Sequence, residues 1–134
     1  YEVVMVRQYR PALDSYSLEI PAGMRDVVGE DPQDTAIREL QEETGFTTHD
    51  VRPLGRILQA PGITNAAVHL FVAIGLTEVA MDRHGPEEDD MTVVVLLLDD
   101  AIRMIDSGEI VNAMAVVGLL RADQVLRAER ASGK

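Results

Sequence analysis

The sequence predicts an α/β fold, a mixed β-sheet with helices on its faces. Three observations point there. Runs at residues 3–9, 67–76 and 91–98 are rich in valine and other aliphatic residues and read as strands. Segments at 32–44 and about 111–130 carry helix start, stop and periodicity signals. The two kinds of element interleave without a regular βαβ rhythm, and layering helices on a sheet buries the apolar side of both.

Each element has its own reason. Residues 3–9 alternate toward their end and form the first strand. Pro11 opens a turn over 11–14, and residues 16–20 make a short second strand. Pro21, Ala22 and Gly23 begin a loop that runs to Gly29. Asp31 then Pro32 is a helix start: the carboxylate accepts from a first-turn N–H, and proline has no N–H to lose. Asp34 puts negative charge where the dipole favours it. This helix is expected over 32–44, with Gly45 as its left-handed stop.

Strands are expected next at 54–59 and 67–76, broken apart by Pro61-Gly62. Residues 78–90 are polar, contain Gly85-Pro86 and read as a loop. The unbroken aliphatic run at 91–98 is expected to be buried on both faces. Asp99 and Asp100 are expected to cap a short helix over 101–106. In the last helix Met114, Val117 and Leu120 recur at helical spacing and are expected in the core.

Bulk properties bound the function. The 134 residues fit a single domain, 1–134, large enough to bury roughly two-thirds of its unfolded surface. Aromatics are 4%, so the core must be aliphatic. Against 12 basic residues stand 23 acidic ones, a formal net charge of −11. That leaves no positive surplus for a nucleic-acid backbone. A small phosphorylated substrate stays open, because a bound cation inverts the local sign. There is no cysteine, which excludes disulfides and thiolate metal sites and suits a reducing cytoplasm. The longest aliphatic run is far too short to span a bilayer, so no membrane partner is expected. His49, His69 and His84 have no zinc spacing, and His69 reads as structural. Neither a P-loop nor a serine nucleophile elbow is present.

The informative stretch is 23–46. On a helix Glu39 and Glu43 lie one turn apart, and Glu42 joins them from three residues away. Ala36, Ile37 and Leu40 fall on another face, expected to bury against the sheet. Like charges at these spacings cost a few tenths of a kcal/mol per pair, roughly, which a divalent cation would reverse. Arg38 stands four before Glu42 and can pair with it.

Glu30, seven residues, then Arg38-Glu39-Leu40-Gln41-Glu42-Glu43-Thr44-Gly45-Phe46 resembles the Nudix box, G-x5-E-x7-R-E-U-x-E-E-x-G-U, with U aliphatic or aromatic. Every fixed position from Glu30 onward is met. Six residues lie between Gly23 and Glu30 instead of five, an insertion that a loop absorbs. The resemblance covers about residues 3–120. It implies an α/β/α sandwich around a mixed sheet and hydrolysis of a nucleoside diphosphate linked to a second group. It makes Glu39 and Glu43 the principal metal ligands and Glu42 a further or water-mediated one. The Ala22 carbonyl would be another ligand, Arg38 an orienting partner, and Glu30 and Gly23 supports. The metal would be Mg²⁺, with Mn²⁺ the alternative, neutralising the phosphates and activating water for in-line attack. The general base in similar enzymes often comes from a late loop. Here the candidates are Glu88, then Glu87, with Asp89 an extra metal contact.

Flanking residues resemble the ADP-ribose pyrophosphatases. They are Val6-Arg7-Gln8-Tyr9-Arg10-Pro11, Leu18-Glu19-Ile20-Pro21-Ala22-Gly23, the stretch at 108–112, and Pro61 about fifteen residues beyond the box. The resemblance makes Arg7, Arg10, Glu19, Pro61 and Gly62 substrate-binding residues and implies a cytoplasmic homodimer that yields AMP and ribose 5-phosphate. That subgroup commonly has an acidic residue where this chain has Ala66, and an N-terminal β-rich region before the position of Tyr1. The alternatives are another NDP-sugar or a dinucleoside polyphosphate as substrate. A different class is a non-hydrolytic ADP-ribose sensor; such domains often lose box glutamates, which this chain keeps.

Overall fold

In the computed structural model, which describes residues 1–25, 27–80 and 90–133, alternation along the first strand decides the layering. Strand β1 (Glu2–Arg10) lies between β2 (Ser15–Glu19) and β7 (Thr92–Leu97), antiparallel to both. Between β2 and β7 come α1 (Pro32–Thr44), β3 (Phe46–Thr47), β4 (Asp50–Leu58), β5 (Ala67–Ile74) and β6 (Thr77–Glu78). After β7 follow α2 (Leu98–Asp106) and α3 (Ala113–Ala131). The pairs β4–β5 and β3–β6 are also antiparallel, as is every ladder among the described residues.

Residues directly opposite in a ladder share a face. Val3, Met5, Leu18, Val94 and Leu96 therefore point one way, and all belong to the aliphatic core with Leu98, Ala101, Ile110, Ala115, Leu119 and Leu126 of the α2–α3 side. Val6, Gln8 and Arg10 point the other way, with Ser17 and Glu19 beside them. Helix α1 packs against β1 and β5 and stays outside the α2–α3 cluster, giving helices on two sides of the strands.

Helix α1 starts and stops as its sequence dictates. The Asp31 side chain accepts from Gln33 N–H at 2.8 Å, and Gly45 closes the helix at φ 75° with its N–H on Gln41 O. Helix α3 is capped by Asn112, whose side chain accepts from Ala115 N–H.

Several expectations need correction. Strand β4 begins at Asp50, four residues early; Pro53 is accommodated because the register shifts between Pro53 and Gly55. The two-residue strands β3 and β6 carry no periodicity that a short window could reveal. Strand β7 is not buried on both faces: it pairs on one side only among the described residues, and Val95 and Leu97 are about half exposed. Asp99 and Asp100 lie inside the first turn of α2, where the dipole favours them, and do not cap it. In α3 the buried line is Ala115, Gly118, Leu119 and Leu126, while Leu120 faces solvent. Its neighbours all being apolar, the helix offered two candidate stripes, and packing chose the one one residue away. The loop expected at 78–90 lies mostly outside the described residues. No described helix is long and apolar enough to cross a membrane.

Leu119 is 2% exposed within the core cluster. Leu119→Ala should cost about 3 kcal/mol, read as a lowered urea midpoint at unchanged slope. A change under about 1 kcal/mol would mean that α3 is not a core element.

Candidate active site

The glutamates of α1 do not form a solvated acidic stripe. The buried positions of the helix are Thr35, Glu39, Leu40, Glu43 and Thr44, whereas Ala36 and Ile37 are only half-buried. Glu39 and Glu43 keep 9% and 5% exposure. The face expected to be apolar is thus displaced, and the acidic one turns inward.

What it turns toward is the segment that leaves β2. After Glu19, the residues Ile20, Pro21, Ala22 and Gly23 run directly against the helix. The Ala22 N–H donates to Glu43 Oε2 at 3.1 Å. Gly23 lies so close to Glu39 that a Cβ added there would fall 2.0 Å from the Glu39 Cδ. Only glycine leaves room for that carboxylate.

Arg38 organises the other carboxylates. Its Nε and Nη2 fork the two oxygens of Glu30 at 3.2 and 3.1 Å. Its Nη1 reaches Glu39 Oε1 and both Glu42 oxygens at 3.2 Å. The Thr35 hydroxyl donates to Glu30 Oε1 at 2.7 Å. Arg38 first, then Thr35, holds the Glu30 carboxyl below its ordinary range, and Glu30 in turn holds the guanidinium charged. On the outer side of α1, Asp34, Ile37, Arg38, Gln41 and Glu42 line an open groove of about 360 Å³.

A second pair sits on the strands. Arg10 grips Glu19 through Nε–Oε2 at 2.8 Å and Nη2–Oε1 at 2.7 Å. Glu19 is only 3% exposed. Burial pushes its carboxyl up, but the hydrogen bonds from Arg10 and Ser17 outweigh burial and leave it below its ordinary range. Arg10 is itself 44% exposed at its side chain, so its charge is partly screened.

The sequence-predicted residues therefore divide. Ala22, Gly23, Glu30, Arg38, Glu39, Glu42 and Glu43 gather where β2 meets α1. Arg10 and Glu19 stand together on the adjoining strand face. Arg7 is not brought to them: it stands three positions from Arg10, an odd step along the strand, so it projects from the opposite face. Pro61 and Gly62 lie in an exposed turn, where Ala60 O accepts from Ile63 and Thr64 N–H at 3.0 Å. Glu87, Glu88 and Asp89 lie outside the described residues. Sequence reading missed Thr35, Ser17 and Gln8; the signal available for the last two was the period-2 alternation that places them beside Glu19 and Arg10.

The donor set suits a hard divalent cation, which takes carboxylate and carbonyl oxygens. The close approach of Gly23 to Glu39, where a Cβ would clash with the carboxylate, brings carboxylate and backbone oxygens of this kind into one small region. The three carboxylates do not converge into a finished cage, however, and no cluster of three metal-binding side chains forms among the described residues. Glu42 is drawn toward Arg38 while Glu43 is bonded to Ala22 N–H. Mg²⁺ does not require a full protein cage, because it retains waters and shares substrate phosphates.

Known proteins resemble this chain. The family profile described as NUDIX domain matches residues 1–129. An ADP-ribose pyrophosphatase of Mycobacterium tuberculosis is 39% identical over 92% of this chain and 59% of its own length. One from Bacillus subtilis is 32% identical over 96% of this chain and 70% of its own. A Klebsiella pneumoniae GDP-mannose pyrophosphatase is 32% identical over 86% of this chain and 61% of its own. This chain thus spans about three-fifths to seven-tenths of these relatives. A crystal structure of an ADP compounds hydrolase superposes with a TM-score of 0.85 at 25% identity, covering 96% of this chain and 68% of that one.

The depressed Glu19 carboxyl has a pH signature. Its folded pKa lies below the unfolded one, so the pair contributes stability that is present above about pH 4.3 and lost as pH falls through the folded value. The stability gap between wild type and Glu19→Gln, read from urea titrations, should shrink on acidification below that point. A gap independent of pH would show that Glu19 carries no charge in the fold.

Proposed function

The chain belongs to the Nudix family, and on that premise we propose that it hydrolyses the diphosphate bond of ADP-ribose to AMP and ribose 5-phosphate. The observation that carries this reading is the close approach of Gly23 to Glu39, with Glu43 tied to Ala22 N–H beside it. It presents an inward-facing carboxylate pair and a backbone turn at one point. The two ADP-ribose pyrophosphatases among its relatives support the substrate.

Nudix hydrolases use divalent metal ions in general, and we assign Mg²⁺ here. Glu39 and Glu43 would hold it with the Ala22 carbonyl, and Glu42 would contribute through water. The bound ion supplies charge neutralisation on the phosphates and activation of water. The chain's own residues do the rest. Arg38 holds Glu42 and Glu39 in place through one guanidinium nitrogen, so the carboxylates do not splay apart before substrate arrives. Glu30 and Thr35 fix Arg38 from behind. Glu88, with Glu87 next, remains the proposed proton acceptor, and Asp89 an extra metal contact. Arg10, Glu19, Pro61 and Gly62 are proposed to flank the substrate; Arg7, on the other face, fits a contact between subunits of a homodimer better. The single-domain reading and the cytoplasmic location belong to the same proposal.

One observation favours a second substrate. Ala66, exposed ahead of β5, offers no carboxylate where ADP-ribose enzymes commonly have one, and a GDP-mannose pyrophosphatase is also a relative. Another NDP-sugar is therefore the competing reading.

Purified protein incubated with ADP-ribose and Mg²⁺ should release AMP faster than it cleaves GDP-mannose or dinucleoside polyphosphates, and chelator should abolish the release. Preference for another substrate would overturn the ADP-ribose assignment and keep the chemistry. Glu43→Gln keeps shape and removes one charge. It should lower turnover about a hundredfold or more at unchanged circular dichroism. Full turnover in the folded variant would remove Glu43 from the metal set.

A further inference from the structure

The strand face beside the glutamate helix carries one group that the pairing above leaves unused. Gln8 is 9% exposed, and among the described residues its side-chain amide makes no hydrogen bond. A buried amide without a partner costs about 1–3 kcal/mol and is uncommon in folded proteins. Its surroundings are polar. Ser17 stands directly opposite, Glu19 opposite Val6 one pleat away, and Arg10 next on the same face. Arg10 reaches back along this face to Glu19, past the Gln8–Ser17 pair.

Charge decides what could meet the amide. Arg10 and Glu19 satisfy each other through two hydrogen bonds, so this face is close to neutral. It does not attract phosphate, which the glutamate end would take through its cation. A neutral amide with one acceptor and two donors matches hydroxyl groups or the edge of a base. The chain direction supplies the distance. From Ser17 strand β2 runs to its end at Glu19, and the chain continues over five residues in all to Ala22, whose N–H donates to Glu43. Those five residues span at most about 17 Å, so Gln8 stands within the reach of a nucleoside or terminal sugar extending from the diphosphate position.

Resting on the hydrolase reading above, we infer that Gln8 is a substrate-selecting residue. Its amide hydrogen-bonds an uncharged oxygen or nitrogen on one of the two groups joined by the diphosphate, the nucleoside or the terminal sugar. Without substrate the amide is unsatisfied, and the free protein is correspondingly less stable.

The two halves of that statement are tested together with Gln8→Met, which keeps length and removes the amide. Wild type and variant are melted, then titrated by calorimetry with ADP-ribose, AMP and ribose 5-phosphate in chelator, where nothing is cleaved. The variant is expected to melt about 3 °C higher and to bind ADP-ribose about three- to tenfold more weakly. Weakening shared by AMP alone assigns the contact to the nucleoside half; weakening shared by ribose 5-phosphate alone assigns it to the sugar half. Equal ADP-ribose affinity in the two proteins overturns the inference and leaves the hydrolase reading standing. A lower melting point, or a variant that does not fold, also overturns it, because the amide would then be satisfied in the free protein. Wild type that binds none of the three ligands and also releases no AMP from ADP-ribose with Mg²⁺ overturns the hydrolase reading itself.

Discussion

The structure turns on two contacts between the end of β2 and the inner face of α1: Gly23 against the Glu39 carboxylate, and Ala22 N–H on Glu43. Carboxylates a turn apart repel, and burying them raises the cost of each charge. The helix would not present Glu39 and Glu43 inward unless something there accepted them. A backbone N–H, a glycine that makes room and the guanidinium of Arg38 do so in part. Under the proposed function a bound cation would add to them. Fold and site are therefore one problem in this protein, because the segment that joins β2 to α1 is also the wall of the site.

The sheet separates the duties of the molecule by alternation alone. Odd-numbered positions of β1, such as Val3 and Met5, meet the α2–α3 core. The even-numbered Gln8 and Arg10 meet Ser17 and Glu19 instead. One face thus stabilises the domain by apolar burial, and the other stays polar within the fold. The Arg10–Glu19 pair is the costly part of that face. A partly exposed arginine offsets the burial of a carboxylate, at less than the value of a wholly buried pair.

Much of this was legible in the residues. Asp31-Pro32 and Gly45 marked the bounds of α1 because caps and stops are local chemistry, decided within four residues. The glutamate spacing and its resemblance to a known box pointed to the candidate site for the same reason. Interior burial was less legible. In α3 nearly every early residue is apolar, so periodicity could not choose between Leu119 and Leu120. In β7 the continuous aliphatic run suggested two covered faces, yet Val95 and Leu97 stay half exposed, since coverage depends on what the rest of the chain supplies.

By itself, then, the sequence determined the elements whose causes are short-range: the capped helix, its row of carboxylates and the glycine before it. Tertiary structure alone decided which way the row faces, that Arg38 gathers Glu30, Glu39 and Glu42 at once, and that Arg7 and Arg10 part company across the sheet. It also decided that Glu19 is held by Arg10 and that Gln8 is buried with no side-chain hydrogen bond among the described residues. Each of these depends on strand register and on helix packing against the sheet, interactions between residues distant in the chain that no local pattern encodes.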